Sequence, residues 1–548
     1  MKQAFIGVDV GTSSARAGVF DEKGTLLATA RHPIAIWHEA GSVVEQSSSD
    51  IWAACAASVR AAMAEAAVPP AAVKGIGFDA TCSLVVLDAA AEPLTVSPSG
   101  EARRNVIVWM DHRAIAEARE INDTHDHVLR YVGGSISPEM EIPKLLWLKR
   151  HLPSSYRSAG HFFDLADYLS FRATGSTQRS ICTLACKWNY LAHERRWSES
   201  YFVRIGLGDL AANDYAKIGR EIVAPGTLLG TGLSPSAARD FGLVEGTPVG
   251  ASLIDAHAGG VGTIGGREKA GGSVDVCRRL AYIMGTSACI MATTSEARFV
   301  PGVWGPYYSG MVPGFWLNEG GQSAAGAAID HLIKSHPAYN EALAAAHAGG
   351  QEILEFLERR IVSREKSLGE AALLARDIHV MPEFLGNRSP FADPDSRAVV
   401  AGLDLDVDIA SMERLFVAGL CGLAYGLADV VDAFRAHGVD SDLMVISGGA
   451  GRSALVRQIM ADTTGLTVAV PETQEPVLLG AAMLGAVAGT AYASIGEAMA
   501  SMSAIGRSSE PTAPGMADFH RSKRRVHGLM RTLDRESRDA MRGIKTDH

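Results

Sequence analysis

Four residues into the chain stands a pattern that few folds can use: FIGVDVGTSSARAGVFDEKG, Phe5 to Gly24. An apolar run ends in Asp9, then come Gly11, Thr12, Ser13 and Ser14, and a second apolar run, Ala17 to Phe20, closes at the turn Asp21-Glu22-Lys23-Gly24. The alternation predicts two strands joined by a small hydroxyl-rich turn, whereas most phosphate-binding glycine loops open a helix. Such a turn gathers backbone N–H groups and hydroxyls at one point, which holds phosphate oxygens without side-chain charge. A loose echo, AYIMGTSACIMATT, runs from Ala281 to Thr294 and carries Gly285, Thr286 and Ser287 between its apolar runs. Later, Leu443 to Val468 reads as a strand, a Gly448-Gly449-Ala450 turn and an amphipathic helix. Two strand–Gly-Thr-Ser–strand units imply a duplicated α/β architecture. Facing each other across a cleft, the two turns would grip a polyphosphate from both sides.

At 548 residues the chain exceeds a single core, and about 150 residues per domain predicts two to four domains. Between the two units the chain alternates. A helix is predicted over Asp50 to Ala67, stopped by Pro69 and Pro70, followed by strands at Lys74–Asp79 and Leu84–Asp88. Helices are predicted at Asp111–Asn122 and Ile142–His151, and strand pieces at Pro225–Gly232 and Thr247–Ser252. The glycine-dense stretch Gly259 to Gly272 reads as a hinge between halves. The expected division is residues 1–265, residues 266–510, and a helical tail over 511–548. In that tail the basic run RSKRR, from Arg521, reads as a solvated helix face.

Several function classes drop out. The formal charge of −10 gives no reason to expect a nucleic-acid or anionic-membrane partner. The N-terminus lacks the signal-peptide pattern, and no stretch of about 18 uninterrupted apolar residues suggests a membrane span. Seven dispersed cysteines read as reduced thiols, so a cytoplasmic protein is expected. The spacing of Cys182 and Cys186 fits one helix face better than a metal site, and His125 and His127 lack further ligands at suitable spacing. No Gly-Lys dipeptide exists, which excludes a P-loop. A literal G-x-G-x-x-G at Gly260, Gly262 and Gly265 follows no clean strand–helix context and carries little weight.

Some charged residues stand out chemically. Asp9, at the mouth of the first turn, suits Mg²⁺, which prefers hard oxygens and keeps much of its water. Phosphoryl transfer to an alcohol also needs a carboxylate to accept the hydroxyl proton. Asp255, in GASLIDAHAGGVG, is placed for that work, though an N-cap for a following helix explains it equally well. His257 reads as packing or orienting its neighbour. Lys187, in CTLACKWNYL, and Glu319, in WLNEGGQSAAG, sit among apolar or small residues, where each needs a charged partner or a polar ligand.

Taken together, DVGTSSAR, EIPKLLWLK (Glu141 to Lys149), IDAHAG, MGTSA, NEGGQSAAG, FLGNRSPFADPDSRAVVAGL (Phe384 to Leu403), SGGAGRS and EPVLLGAAMLGA resemble the FGGY carbohydrate kinases, from about Phe5 to about Gly489. GFDATCSLVVLD (Gly77 to Asp88) and NVIVWMDHRA (Asn105 to Ala114) resemble the branch that phosphorylates D-ribulose. The resemblance implies a two-domain actin-like ATPase (ribonuclease H-like) fold, with duplicated mixed sheets, flanking helices and a cleft. It implies ATP and Mg²⁺, with Asp255 as the base and Asp9 at the metal. Gly11, Thr12, Ser13, Gly285 and Thr286 would lie at the phosphates, Gly326 and Asp330 along the nucleotide, and Gly449, Ala450 and Ser453 beside adenosine. Ala80, Thr81, Lys187 and Glu319 would meet a ketopentose. L-ribulose, D-xylulose, ribitol and glycerol remain alternative substrates, and a homodimer is plausible. A chaperone-like nucleotide switch is the rival class; no β-rich peptide-binding stretch is read after the second half.

Overall fold

The computed structural model describes residues 3–39, 42–268, 274–512 and 515–542. Its first sheet contains β1 (Ala4–Val10), β2 (Ser14–Asp21), β3 (Leu26–Pro33), β4 (Val73–Ala80) and β5 (Val249–Ile254), in the order β3-β2-β1-β4-β5. The first three strands are antiparallel and the last two parallel to β1. The second sheet contains β6 (Arg279–Met284), β7 (Ala288–Thr294), β8 (Trp304–Tyr308), β9 (Trp316–Gln322), β10 (Leu443–Ser447), β11 (Thr467–Pro471) and β12 (Ile505–Ser509), in the order β8-β9-β7-β6-β10-β11-β12. Its centre repeats the first sheet: β9-β7-β6 are antiparallel, and β10 and β11 run parallel to β6. The duplication expected from two echoing turns is therefore present strand for strand.

Local signals placed these elements well. The helix predicted at Asp50 is Ser48–Ala66, with the Ser47 hydroxyl accepting from the Asp50 N–H as N-cap. The predicted strand Leu84–Asp88 is present, and Lys74–Asp79 extends by one residue at each end. The helix expected from Asp111 starts only at Ile115, because Asp111 is spent on the Val44 N–H and Arg113. Pro225–Gly232 forms no strand; the short strand there is Ile222–Val223.

The hinge reading is corrected. Asp255–Ile264 is a helix that contains Gly259, Gly260 and Gly262. A Cβ on Gly262 would lie 2.0 Å from the Pro476 carbonyl oxygen, and one on Gly480 would lie 1.9 Å from that of Ala258. These glycines allow two helices, Asp255–Ile264 and Pro476–Ala488, to touch backbone to backbone. They mark tight packing, not flexibility. Residues 269–272, the remainder of that stretch, lie outside the described residues. Helix Pro476–Ala488 also lies on the first sheet, where a Cβ on Gly77 would meet the Ala481 carbonyl oxygen at 2.0 Å. A helix encoded late in the chain thus completes the core of the first half.

The solvated reading of RSKRR is corrected in part. The tail is a helix, Gly515–Arg542, as expected, but Lys523 is buried, its Nζ on the Ile378 carbonyl oxygen and His379 Nδ1. Arg524 pairs with Asp429 and Asp432, while Arg521 is exposed. One further helix, Ile409–Ala436, is long and apolar enough to cross a membrane by length and composition, yet 83% of its apolar window is buried in the second core.

Candidate active site

The two turns face each other across one cavity of about 350 Å³. Its wall includes Asp9, Gly11 and Thr12 from the first turn, Gly285, Thr286 and Ser287 from the second, and Thr81, Lys187, Asp255 and Glu319. Each turn is closed by its own backbone, with Gly11 N–H donating to Ser14 O and Gly285 N–H to Ser287 O. The second turn is also bound to helix Gly326–Lys334, because Gly326 N–H donates to Gly285 O and Ala325 and Ala327 N–H to Thr286 O. Asp330 lies one turn along that helix, 3.4 Å from Lys334.

Other expected residues do not line this cavity. Ala80 ends β4, buried beside Val10. Ser13 is exposed at the first turn. Gly449 and Ala450 belong to a short turn after Gly448, whose φ of 91° and close approach to Met284 O admit only glycine. Ser453 caps helix Ala454–Thr464, accepting from the Val456 N–H, so its hydroxyl is engaged there.

The carboxylates are ordered by the first sheet. Asp9 is the next-to-last residue of β1, and its cross-strand partner is Arg16, whose Nε lies 2.8 Å from Asp9 Oδ2. Arg16 also reaches Glu475, at the start of helix Pro476–Ala488. Asp79, in register with Asp9 on β4, is fully buried, and neither of its oxygens accepts a hydrogen bond. Burial, then the charges of Asp9 and Asp255, push its carboxyl well above the usual range. Buried, unsatisfied carboxylate oxygens behind Asp9 are a donor set that suits a hard divalent cation, so the residues fit Mg²⁺.

Asp255 is the first residue of its helix, and its Oδ1 accepts from the Ala256 N–H at 2.6 Å. The N-cap is Ile254, so the capping reading of Asp255 is corrected, and its carboxylate stands on the cavity wall. Burial, then Asp9, raise its pKa to about 6, against the pull of the Ala256 N–H, His257 and Lys187.

Lys187 Nζ lies 3.7 Å from Glu319 Oε2, and His257 Nε2 lies 3.3 Å from the same oxygen. Burial opposes the charge on Glu319, but Lys187 and then His257 hold its pKa down at about 2. His257 Nδ1 lies 3.1 Å from Cys182 Sγ. Cys182 and Cys186 share one helix face, as their spacing predicts, and with His257 their ligand atoms lie within 4.8 Å of one another. Burial disfavours charge on both partners, yet Cys182 and His257 favour the ionised form of each other, which places His257 as the support of Glu319.

Among the wall residues that sequence reading missed are the polar and aromatic Arg16, Trp109, Glu139, Trp304 and Arg388. Trp109 Nε1 donates to Thr12 Oγ1 at 3.0 Å, tying the segment before helix Ile115–Asp123 to the first turn. The cavity therefore brings together two hydroxyl-bearing glycine turns, an acid-rich end, a carboxylate whose pKa is raised to about 6 and a buried charge pair.

That combination defines a phosphotransferase acting on a hydroxyl. Models of the N-terminal and C-terminal domains of the FGGY family of carbohydrate kinases match residues 4–262 and 280–489. The chain is 46% identical over 510 residues to an FGGY carbohydrate kinase domain-containing protein of Homo sapiens, with 92% of each chain covered. It is 37% identical to a D-ribulokinase of Saccharomyces cerevisiae, over 88% of this chain and 72% of that one. A solved xylulose kinase from Rhodospirillum rubrum superposes with a TM-score of 0.78 at 20% identity, covering 97% of this chain and 99% of the other, and shows the same fold. The chain belongs to the FGGY family of carbohydrate kinases, and within it to the ribulokinase-like branch. It is an ATP-dependent sugar kinase.

Proposed function

We propose that this kinase transfers the γ-phosphoryl group of ATP to the 5-hydroxyl of D-ribulose, with Asp255 as general base. The observation that carries the reading is the meeting of Asp255, the Lys187–Glu319 pair and both glycine turns in one cavity. Likeness to a relative named as a D-ribulokinase supports this choice of sugar.

The chain's own groups divide the work. Backbone N–H groups around Gly11–Thr12 and Gly285–Thr286 hold phosphate oxygens from opposite sides. Lys187 and Glu319 hold sugar hydroxyls, and His257 orients Glu319 from behind. With its pKa near 6, Asp255 is ionised at neutral pH yet basic enough to take the proton as the hydroxyl attacks. Mg²⁺, held by Asp9 with Asp79 behind it, would neutralise charge on the phosphates. Residues 1–265 would serve the sugar and residues 266–510 the nucleotide, closing on each other to exclude water.

The test is ADP release by purified protein with D-ribulose, L-ribulose, D-xylulose and ribitol. The highest kcat/KM is expected on D-ribulose, with D-ribulose 5-phosphate identified as product. Preference for another of these sugars would reassign the substrate, and peptide-stimulated ATP hydrolysis without a phosphorylated sugar would overturn the reading.

A further inference from the structure

A second charge pair spans the cavity. Arg388 comes from the irregular segment after Phe384, on the side of the second sheet, and its side chain is only 13% exposed. Its Nη2 lies 3.8 Å from Oε1 of Glu139, which precedes helix Glu141–His151 on the sugar side. Lys187–Glu319, at 3.7 Å, runs the other way, with the cation on the sugar side and the carboxylate on β9. The indole of Trp304 is shared, with Lys187 Nζ 4.4 Å and the Arg388 guanidinium 5.4 Å from the ring centroid. All five side chains line the same cavity.

Both separations exceed the roughly 2.7–2.9 Å of a charge-assisted hydrogen bond. His112 Nε2, which also faces Glu139, stops short at 3.8 Å too. A hydroxyl oxygen lying to the cavity side of such a pair can come within about 2.8 Å of nitrogen and carboxylate alike, accepting from the cation and donating to the acid. Lys187 acts on both Asp255 and Glu139. Its charge therefore reaches both the Asp255 end and the Glu139 end of the cavity.

Arg388 does not collapse onto Glu139 because its segment is held from the other side. Asn387 Nδ2 donates to Glu383 Oε1, and Phe391 N–H donates to Asn387 Oδ1. The C-terminal helix then grips the outer end. Arg538 pairs with Asp393 at 2.6 Å, Ser396 Oγ donates to Asp534 at 3.3 Å, and the Arg531 guanidinium lies 3.9 Å from the ring of Phe391.

We propose that Glu139 and Arg388 bind the sugar hydroxyls remote from the one phosphorylated, and that the C-terminal helix is the element positioning Arg388 to do so. The inference rests on the sugar-kinase reading above and extends it to substrate length. A ketopentose spans both charge pairs, whereas a three-carbon polyol held at Asp255 and Lys187 stops short of the second.

The test measures D-ribulose and ATP saturation for the wild-type protein, Glu139→Gln, Arg388→Met, the double variant, and Arg538→Ala. Each cavity variant is expected to raise the sugar KM at least tenfold and leave the ATP KM within twofold. The double variant should be little worse than either single one, since both act on one hydroxyl-bound pair. Arg538→Ala, outside the cavity, should raise the sugar KM several-fold with the ATP KM again unchanged. Lower melting temperatures with an unmoved sugar KM would make the pair purely structural and overturn the proposal. A normal KM in Arg538→Ala alongside impaired cavity variants would overturn the part assigned to the helix. Should the wild-type protein itself phosphorylate none of the sugars, the function proposed above fails first and this inference falls with it.

Discussion

Replacing Asp255 by asparagine should separate catalysis from stability in opposite directions. The side chain keeps its size, and its amide oxygen can still accept the Ala256 N–H, so the helix start survives. What disappears is a carboxylate that the fold holds ionised against burial and against Asp9, with its pKa raised from 3.8 to about 6. At ~1.36 kcal/mol per pH unit that is about 3 kcal/mol, and water in the cavity screens part of it, which leaves about 1–2 kcal/mol. The sign follows from the folded pKa lying above the unfolded one. The penalty is absent below about pH 4, grows from pH 4 to 6, and is complete above that. At pH 7.5 Asp255→Asn should therefore melt slightly higher than the wild-type protein, by about 1–4 °C. Its rate should fall by about 10²–10⁴, the usual contribution of a positioned base. Coupled ADP release with D-ribulose, differential scanning calorimetry and ATP titration calorimetry read the three quantities. A variant retaining more than a tenth of the wild-type rate, or melting several degrees lower, would refute the reasoning.

The same group sets a pH profile: kcat/KM for the sugar should climb about tenfold per pH unit up to about 6 and then level. A profile already flat at pH 5 would remove Asp255 as the base. Lys187→Met leaves Glu319 buried with His257 alone, so the sugar KM should rise at least tenfold and stability should fall by about 3–5 kcal/mol. A thermal-shift and kinetic pair of measurements checks both, and an unchanged KM would count against a sugar contact. Gly77→Ala drives a methyl group to 2.0 Å from the Ala481 carbonyl oxygen and should cost on the order of 3 kcal/mol or prevent soluble folding. A melting temperature equal to the wild type's would show that helix Pro476–Ala488 does not seat on the sheet as described. Chelation should abolish turnover and Mg²⁺ restore it, with Asp9→Asn raising the Mg²⁺ concentration needed for half activity. Undiminished turnover in excess EDTA would take the cation out of the site.

What could be read from the sequence was the chemistry that is local in the chain. The turn Gly11–Ser14 and its echo at Gly285–Ser287 declare themselves by residue type, because a strand that must end in phosphate-binding N–H groups needs small residues there. Even Arg16 was within reach. A turn closed from Gly11 to Ser14 pairs Val10 with Ala15 and hence Asp9 with Arg16. Glycines with distant partners were harder to read: those of Asp255–Ile264 signal flexibility until Pro476 and Met311 fill the space a Cβ would take. Arg388 sits in a stretch composed like a turn, and only the fold brings it opposite Glu139. The tail shows the same limit most sharply. Met516, His520, Lys523, His527, Met530 and Asp534 recur at alternating steps of four and three, which is the stripe of a docked helix. Four of the six are polar, so hydrophobic periodicity does not reveal the stripe. They are buried because polar partners wait across the contact, Tyr425 for His520, the Ile378 carbonyl for Lys523 and Ser396 for Asp534. A helix docked through polar pairs is specified by both surfaces at once, and one surface read alone looks like a face turned to water.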